Sequence, residues 1–190
     1  EQNRMKTMRS VVAGAVGAGK STFVRTLSEI EVVSTDRPAT DDTLLLKPET
    51  TVAFDFGRLM LSPNLNLHVY GAPGQARFDF MWDLLIQNAH IYILLVAANR
   101  PSDFHYAREI VSFINQRVHI PMLLGITHTD CPGALSPEDI TMNLGYNLND
   151  KHCPPIVKIN PNERTSVIEA LVVLMALIIE ESDVKLSHTS

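Results

Sequence analysis

Short apolar runs alternate with longer amphipathic ones along most of this chain. Residues 9–13, Arg-Ser-Val-Val-Ala, read as a buried strand, and residues 22–27 as an amphipathic helix. A polar stretch follows at 34–42, the kind of long loop that in a compact domain is mobile or functional. Residues 51–56 then alternate, with Val52, Phe54 and Phe56 on one face. Residues 65–70 alternate again beyond a turn at Ser62-Pro63-Asn64, so the pair predicts a hairpin. Gly71-Ala72-Pro73-Gly74 breaks the pattern, and 80–89 reads as a helix. Residues 91–96 are continuously apolar, as in a strand covered on both faces. A helix is predicted over 102–116 with Phe104, Ile110, Phe113 and Ile114 as anchors, then another buried strand over 120–126. Ser136-Pro137-Glu138-Asp139 carries a cap, a first-turn proline and acids, which predicts a helix start. A last strand at 155–159 and a long helix at 163–181 close the pattern. Strands alternating with helices predict an α/β domain. Its sheet is mixed, mostly parallel and six-stranded, with an antiparallel edge hairpin and helices on both faces. The domain is expected over 8–182, with 1–7 and 183–190 as flexible tails.

Composition narrows the options. The 190 residues are enough for one sizeable core, and 45% hydrophobic residues is ordinary for a globular chain. The net charge is −5 and no Lys/Arg block occurs, so a nucleic acid or an anionic membrane surface finds no electrostatic footprint. Cys131 and Cys153 lack C-x-x-C spacing, which points to reduced thiols in a cytoplasmic protein. The longest apolar run, 170–179, is too short for a bilayer and reads as a buried helix. No secretory signal pattern is visible.

Chemistry enters with Gly14-Ala15-Val16-Gly17-Ala18-Gly19-Lys20-Ser21, which fits G-x-x-x-x-G-K-[ST] between a predicted strand and helix. Backbone N–H groups of such a turn, from Gly14, Ala15, Gly17, Ala18 and Gly19 to Lys20, Ser21 and Thr22, can wrap phosphate oxygens. Lys20 would reach the β- and γ-phosphates and the Ser21 hydroxyl would ligate Mg²⁺. In an open α/β sheet the remaining chemistry belongs to loops at the carboxyl ends of the strands. Thr51 ends one such loop and can close over the γ-phosphate as a second Mg²⁺ ligand. In Gly71-Ala72-Pro73-Gly74-Gln75, Gly74 can donate its N–H to that phosphate and Gln75 can orient an attacking water. Thr127-His128-Thr129-Asp130 offers a carboxylate that can accept from both N1–H and the amino group of guanine, a donor pair adenine lacks.

From Arg9 to Glu181 the chain resembles a Ras-like small GTPase. Gly14–Ser21 matches the family's phosphate loop, Thr51 its first-switch threonine, and Gly74-Gln75 the end of D-x-x-G-Q. Thr127–Asp130 stands for N/T-K-x-D, and Asn160-Pro161-Asn162 occupies the loop whose backbone N–H meets the guanine oxygen. The segments 51–57 and 73–75 are closer to the bacterial branch of gliding-motility (MglA-like) and roadblock-associated GTPases. The resemblance implies a P-loop NTPase G-domain that binds GTP or GDP with Mg²⁺, with Gln75, Lys20 and Thr51 in catalysis. It also implies a switch in bacterial signalling, polarity or motility. A roadblock/LC7-type activating partner would follow, with recruitment by partners to a membrane or cell pole.

Three positions depart from that pattern. Gly71 replaces the acid that holds Mg²⁺ through water, so the ion would rest on Ser21, Thr51, phosphate and water, and weak Mg²⁺ affinity is expected. His128 replaces a lysine; its imidazole either stacks on the nucleotide or is a surface-loop histidine. Thr50 stands where the motility-type members carry an arginine finger, which implies slow hydrolysis by the chain alone. Arg77 either swings in instead or is a solvated switch residue. Asp55 reads as an exposed edge-strand acid or as an indirect Mg²⁺ contact opposite Gly71. Trp82 reads as an apolar contact or part of a partner surface. The leading expectation is a slow GTPase switch. The alternatives are a nucleotide-binding scaffold with negligible turnover and, with no arginine-rich lid to support it, an ATP-using P-loop kinase.

Overall fold

The pattern of apolar runs assembles into one twisted sheet between two helical layers, seen in a computed structural model that describes residues 5–34, 54–74 and 80–187. The strands are β1 (Lys6–Ala13), β2 (Val33–Ser34), β3 (Asp55–Ser62), β4 (Leu65–Gly71), β5 (Ile91–Ala97), β6 (Met122–Thr127) and β7 (Ile156–Lys158). The helices are α1 (Lys20–Leu27), α2 (Phe80–Gln87), α3 (Phe104–Asn115), α4 (Pro137–Asn143) and α5 (Arg164–Ser187). The sheet order is β2-β3-β4-β1-β5-β6-β7. Pairing is parallel from β4 through β1, β5 and β6 to β7, and antiparallel only for β2–β3 and β3–β4. Five of the six expected strands and the edge hairpin are present, but the hairpin's first strand runs over Asp55–Ser62 instead of 51–56, of which 51–53 lie outside the described residues. The two-residue β2 extends the edge, where it pairs Val33 with Phe56 and Ser34 with Asp55.

Side-chain alternation along β1 splits the core between the layers. Val11 and Ala13 face a cluster with Trp82, Ile86, Phe104, Ile110, Ile114 and Ile140, from α2, α3 and α4. Val12 faces the opposite cluster, with Phe23, Val24 and Leu27 of α1 and Val167, Ala170, Leu171 and Leu174 of α5. β5 is buried along its whole length, as its unbroken apolar run requires. The predicted cap at Ser136 holds: its Oγ accepts the Asp139 N–H at 3.1 Å.

One expectation needs correction, and of the two readings of Trp82 the apolar contact is the one realised. The apolar run in α5 is buried on one side only. Val172 and Ile179 are 64% and 59% exposed, because a run apolar all round still meets the sheet along a single stripe. Trp82 is wholly buried, with its ring edge-on to Phe113 at 6.1 Å, so it fills the core and offers nothing to a partner. Arg117 covers this contact, its Cζ 3.6 Å from the Phe113 ring centroid and its Nε 2.9 Å from Asp83 Oδ1.

The α2–α3 contact therefore depends on the indole and little on the exposed ion pair. Trp82→Ala should lower the unfolding free energy by about 3–5 kcal/mol, and Asp83→Ala by less than about 1 kcal/mol. Urea denaturation of the two variants measures the contrast.

Candidate functional site

Between β1 and α1 the chain turns on glycines that no other residue can replace without movement. Gly14 has φ 151°, and a Cβ there would collide with the Leu95 carbonyl oxygen of the neighbouring strand. Gly19 has φ 102°, and a Cβ there would lie 2.8 Å from Pro161 Cγ. The loop is thus pressed against β5 on one side and the loop after β7 on the other. Lys20, the first residue of α1, is nearly buried and donates from Nζ to the carbonyls of Gly14 at 2.8 Å and Ala15 at 2.6 Å. Burial pulls its pKa down from 10.5 to about 8, with Arg100 adding to the fall and Asp55 and Asp103 opposing it. A Cβ on Gly74 would lie 2.9 Å from Lys20 Nζ, so Gly74 flanks the ammonium.

The base-side loop is tied to this cradle. Thr127, fully buried at the end of β6, donates its hydroxyl to the Ala18 carbonyl at 2.8 Å. The same oxygen lies 2.8 Å from His128 Nδ1; with its own proton on Ala18 it accepts here, so the imidazole carries its proton on Nδ1. His128 has φ 58°, a left-handed conformation costing about 1–2 kcal/mol, and is a fixed wall rather than a loose surface side chain. Gly17, Gly19, Lys20, Ser21, Thr22, His128, Asp130, Asn160 and Pro161 line one open groove of about 760 Å³. Ala18 and Thr127 are buried, and they connect the two sides of this groove.

Pro161 has no N–H to offer a base. The N–H groups on either side are already committed, Asn160 to Ser166 Oγ at 2.9 Å and Asn162 to Asn160 Oδ1 at 3.1 Å. Pro161 instead packs over Gly19 and accepts the Thr26 hydroxyl at 2.5 Å. Among the described residues, the carboxylates that line this groove are those of Asp130 and Glu163.

The acid missing at position 71 has a counterpart one strand away. Asp55 pairs with Gly71 across β3–β4, and a Cβ on Gly71 would lie 3.5 Å from Asp55 Oδ2. Ser21 donates its hydroxyl to that same Oδ2 at 2.5 Å. Asp55 is thus no idle edge acid. The pairing leaves the Ser21 lone pairs and the second carboxylate oxygen for a hard cation, so the oxygen donors fit Mg²⁺. Sequence reasoning undervalued this residue because only the register sets it beside Gly71. It missed Arg100 altogether, whose guanidinium lies against Gly17. Thr50, Thr51, Gln75 and Arg77 lie outside the described residues. No helix among the described residues is long and apolar enough to cross a membrane.

A family model described as "Conserved hypothetical ATP binding protein" matches residues 31–171. That span starts downstream of the phosphate loop, whose reading rests on its own motif and geometry. "ADP-ribosylation factor-like protein 14" of Mus musculus is 27% identical over 140 residues, which are 72% of this chain and 66% of that relative. The match thus spans just under two thirds of the relative's length.

The buried ammonium makes stability pH-dependent in a defined direction. Between pH 8 and 10.5 the unfolded chain keeps a proton that folded Lys20 releases, so stability should rise with pH across that window, by about 3 kcal/mol at most. Denaturation curves of the wild type and Lys20→Met at pH 7.5 and 10 test this. The rise should be larger in the wild type by that amount, and equal pH responses would refute it.

Proposed function

This chain belongs to the family described as conserved hypothetical ATP binding protein, and we propose that it binds guanosine polyphosphates and works as a slow GTP/GDP switch. The observation that carries the reading is the Thr127–Ala18 hydrogen bond, which holds a base-reading carboxylate and a phosphate loop around one groove. Asp130 can accept the paired N–H donors of guanine, whereas adenine presents a single amino donor beside a bare ring nitrogen. The phosphate loop gathers backbone donors and Lys20 at the other part of the groove.

Ser21 and Asp55 would hold Mg²⁺ together with phosphate oxygens and water. When bound, the ion supplies neutralising charge to the β- and γ-phosphates. Lys20 adds a second cation there, and Gly74, which lies beside it, is assigned to donate its N–H to the γ-phosphate. Gln75 is assigned to orient the attacking water and Thr51 to close over the γ-phosphate, so that hydrolysis would release both loops and a partner would sense the change. With Thr50 in place of an arginine, turnover is slow until a partner assists, and a roadblock/LC7-type protein is the proposed activator. The MglA-like resemblance supports a role in bacterial signalling, polarity or motility. An ATP-binding reading draws on the family's description and on Pro161, which leaves guanine O6 without a backbone donor. A third outcome is a scaffold that holds nucleotide and scarcely hydrolyses it.

Calorimetric titration with GTP and ATP separates these readings. GTP should bind more tightly, and Asp130→Ala should weaken GTP by about 10- to 100-fold, as for lost hydrogen bonds to a charged group, and leave ATP unchanged. Equal affinities in the wild type would favour the ATP reading. Phosphate release in a single turnover, with and without a cell extract, separates switch from scaffold.

The metal assignment makes its own prediction. Asp55→Ala should weaken the Mg²⁺ dependence of GTP binding by about 10-fold, while binding in EDTA stays as in the wild type. A Mg²⁺ titration that does not distinguish the two proteins would remove Asp55 from the site.

A further inference from the structure

Arg100 stands at the start of the 3₁₀ turn that follows β5, the strand beside β1. Its backbone is fixed: its N–H donates to Ala97 O at 3.2 Å and its carbonyl accepts from the Asp103 N–H at 3.0 Å. From there the guanidinium crosses to the phosphate loop. A Cβ on Gly17 would lie 2.8 Å from Nη2, 2.9 Å from Nη1 and 3.3 Å from Cζ, so the absent side chain at Gly17 makes room for the guanidinium. Gly17 is itself a wall of the nucleotide groove.

The charge is incompletely satisfied where it stands. Nη2 is buried and has no hydrogen-bond partner among the described residues. A buried, unpaired N–H on a charged group is costly, and structures keep few of them. Among the described residues the carboxylate paired with Arg100 is Asp103, whose Oδ2 is 3.4 Å from Nε, well beyond the 2.7–2.9 Å of a strong charge-assisted hydrogen bond. Lys20 Nζ is held at the same loop by the Gly14 and Ala15 carbonyls. Two cations directed at one glycine loop, with only loosely held carboxylate compensation, form a site for an anion of more than one charge.

We propose that Arg100 is a positioning residue for the phosphate chain of the bound nucleotide, a fixed cation brought to the phosphate loop from the end of β5 and restrained by Asp103. The proposal rests on the nucleotide-binding reading above and adds a residue to it. The ligand class is a nucleoside di- or triphosphate, and the group recognised is the phosphate chain rather than the base. Asp103 competes with that chain for the guanidinium.

The test uses the full chain, with GTP, GDP and guanosine as probes at low and moderate salt. Arg100→Ala should weaken GTP and GDP by about 10-fold or more, the scale of a charge-assisted contact, and guanosine by less than about twofold. Its phosphate-ligand affinities should also fall less steeply with added salt, since one screened charge pair is gone. Asp103→Ala, which releases the guanidinium, should shift GTP and GDP the other way, about two- to fivefold tighter. Arg100→Lys keeps the charge without the fork and should give intermediate affinity, and it carries the test where the alanine variant melts early. Equal weakening of all three ligands would make Arg100 a structural prop and overturn the proposal. Unchanged GTP affinity in both Arg100 variants, with the wild type binding normally, would overturn it as well. A wild type that binds none of these nor ATP overturns the nucleotide reading itself, and this proposal with it.

Discussion

A single buried hydrogen bond, from the Thr127 hydroxyl to the Ala18 carbonyl, joins the two halves of the groove across 109 residues of sequence. Thr127 ends β6 and Ala18 lies in the turn after β1, so each is fixed by the sheet. With both ends buried, loss of either partner would leave a polar group unsatisfied in the interior, at a cost of about 1–3 kcal/mol. The close packing of Gly14 under Leu95 and of Gly19 under Pro161 works with this bond, because neither approach leaves space for a side chain. The described walls of the groove are therefore held by the sheet that carries them.

Charge around that frame is distributed in an unusual way. The carboxylate beside Ser21 comes from β3 rather than β4, because strand pairing sets Asp55 opposite a glycine that leaves it room. The cation beside Gly17 comes from the loop after β5 rather than from the loop after β6, where His128 stands. Each charge is displaced by one strand from where the motif alone would put it. Neighbouring strands lie about 4.8 Å apart, so a longer or differently angled side chain on the adjacent strand can bring its charge to nearly the same place.

Much of the fold was legible in the sequence because both faces of the sheet are covered. Residues 91–96 had to be a central strand, since an unbroken apolar run of that length needs covering on both sides. The Ser136 cap and the hairpin turn at residues 62–64 were readable because capping and turning are local chemistry. The fate of α5 was not, because residues apolar on every face carry no signal of which side meets the sheet. Trp82 was ambiguous for a similar reason: an aromatic side chain suits a core and an interface alike.

The phosphate loop, its lysine and the acid at position 130 were determined by the sequence itself, since their chemistry follows from short spacings that one turn of backbone realises. Asp55, Arg100 and the role of Pro161 were decided only in three dimensions. Each acts on a residue at least 34 positions away, as Asp55 does on Ser21, and strand register and loop packing, which no local pattern encodes, bring them there.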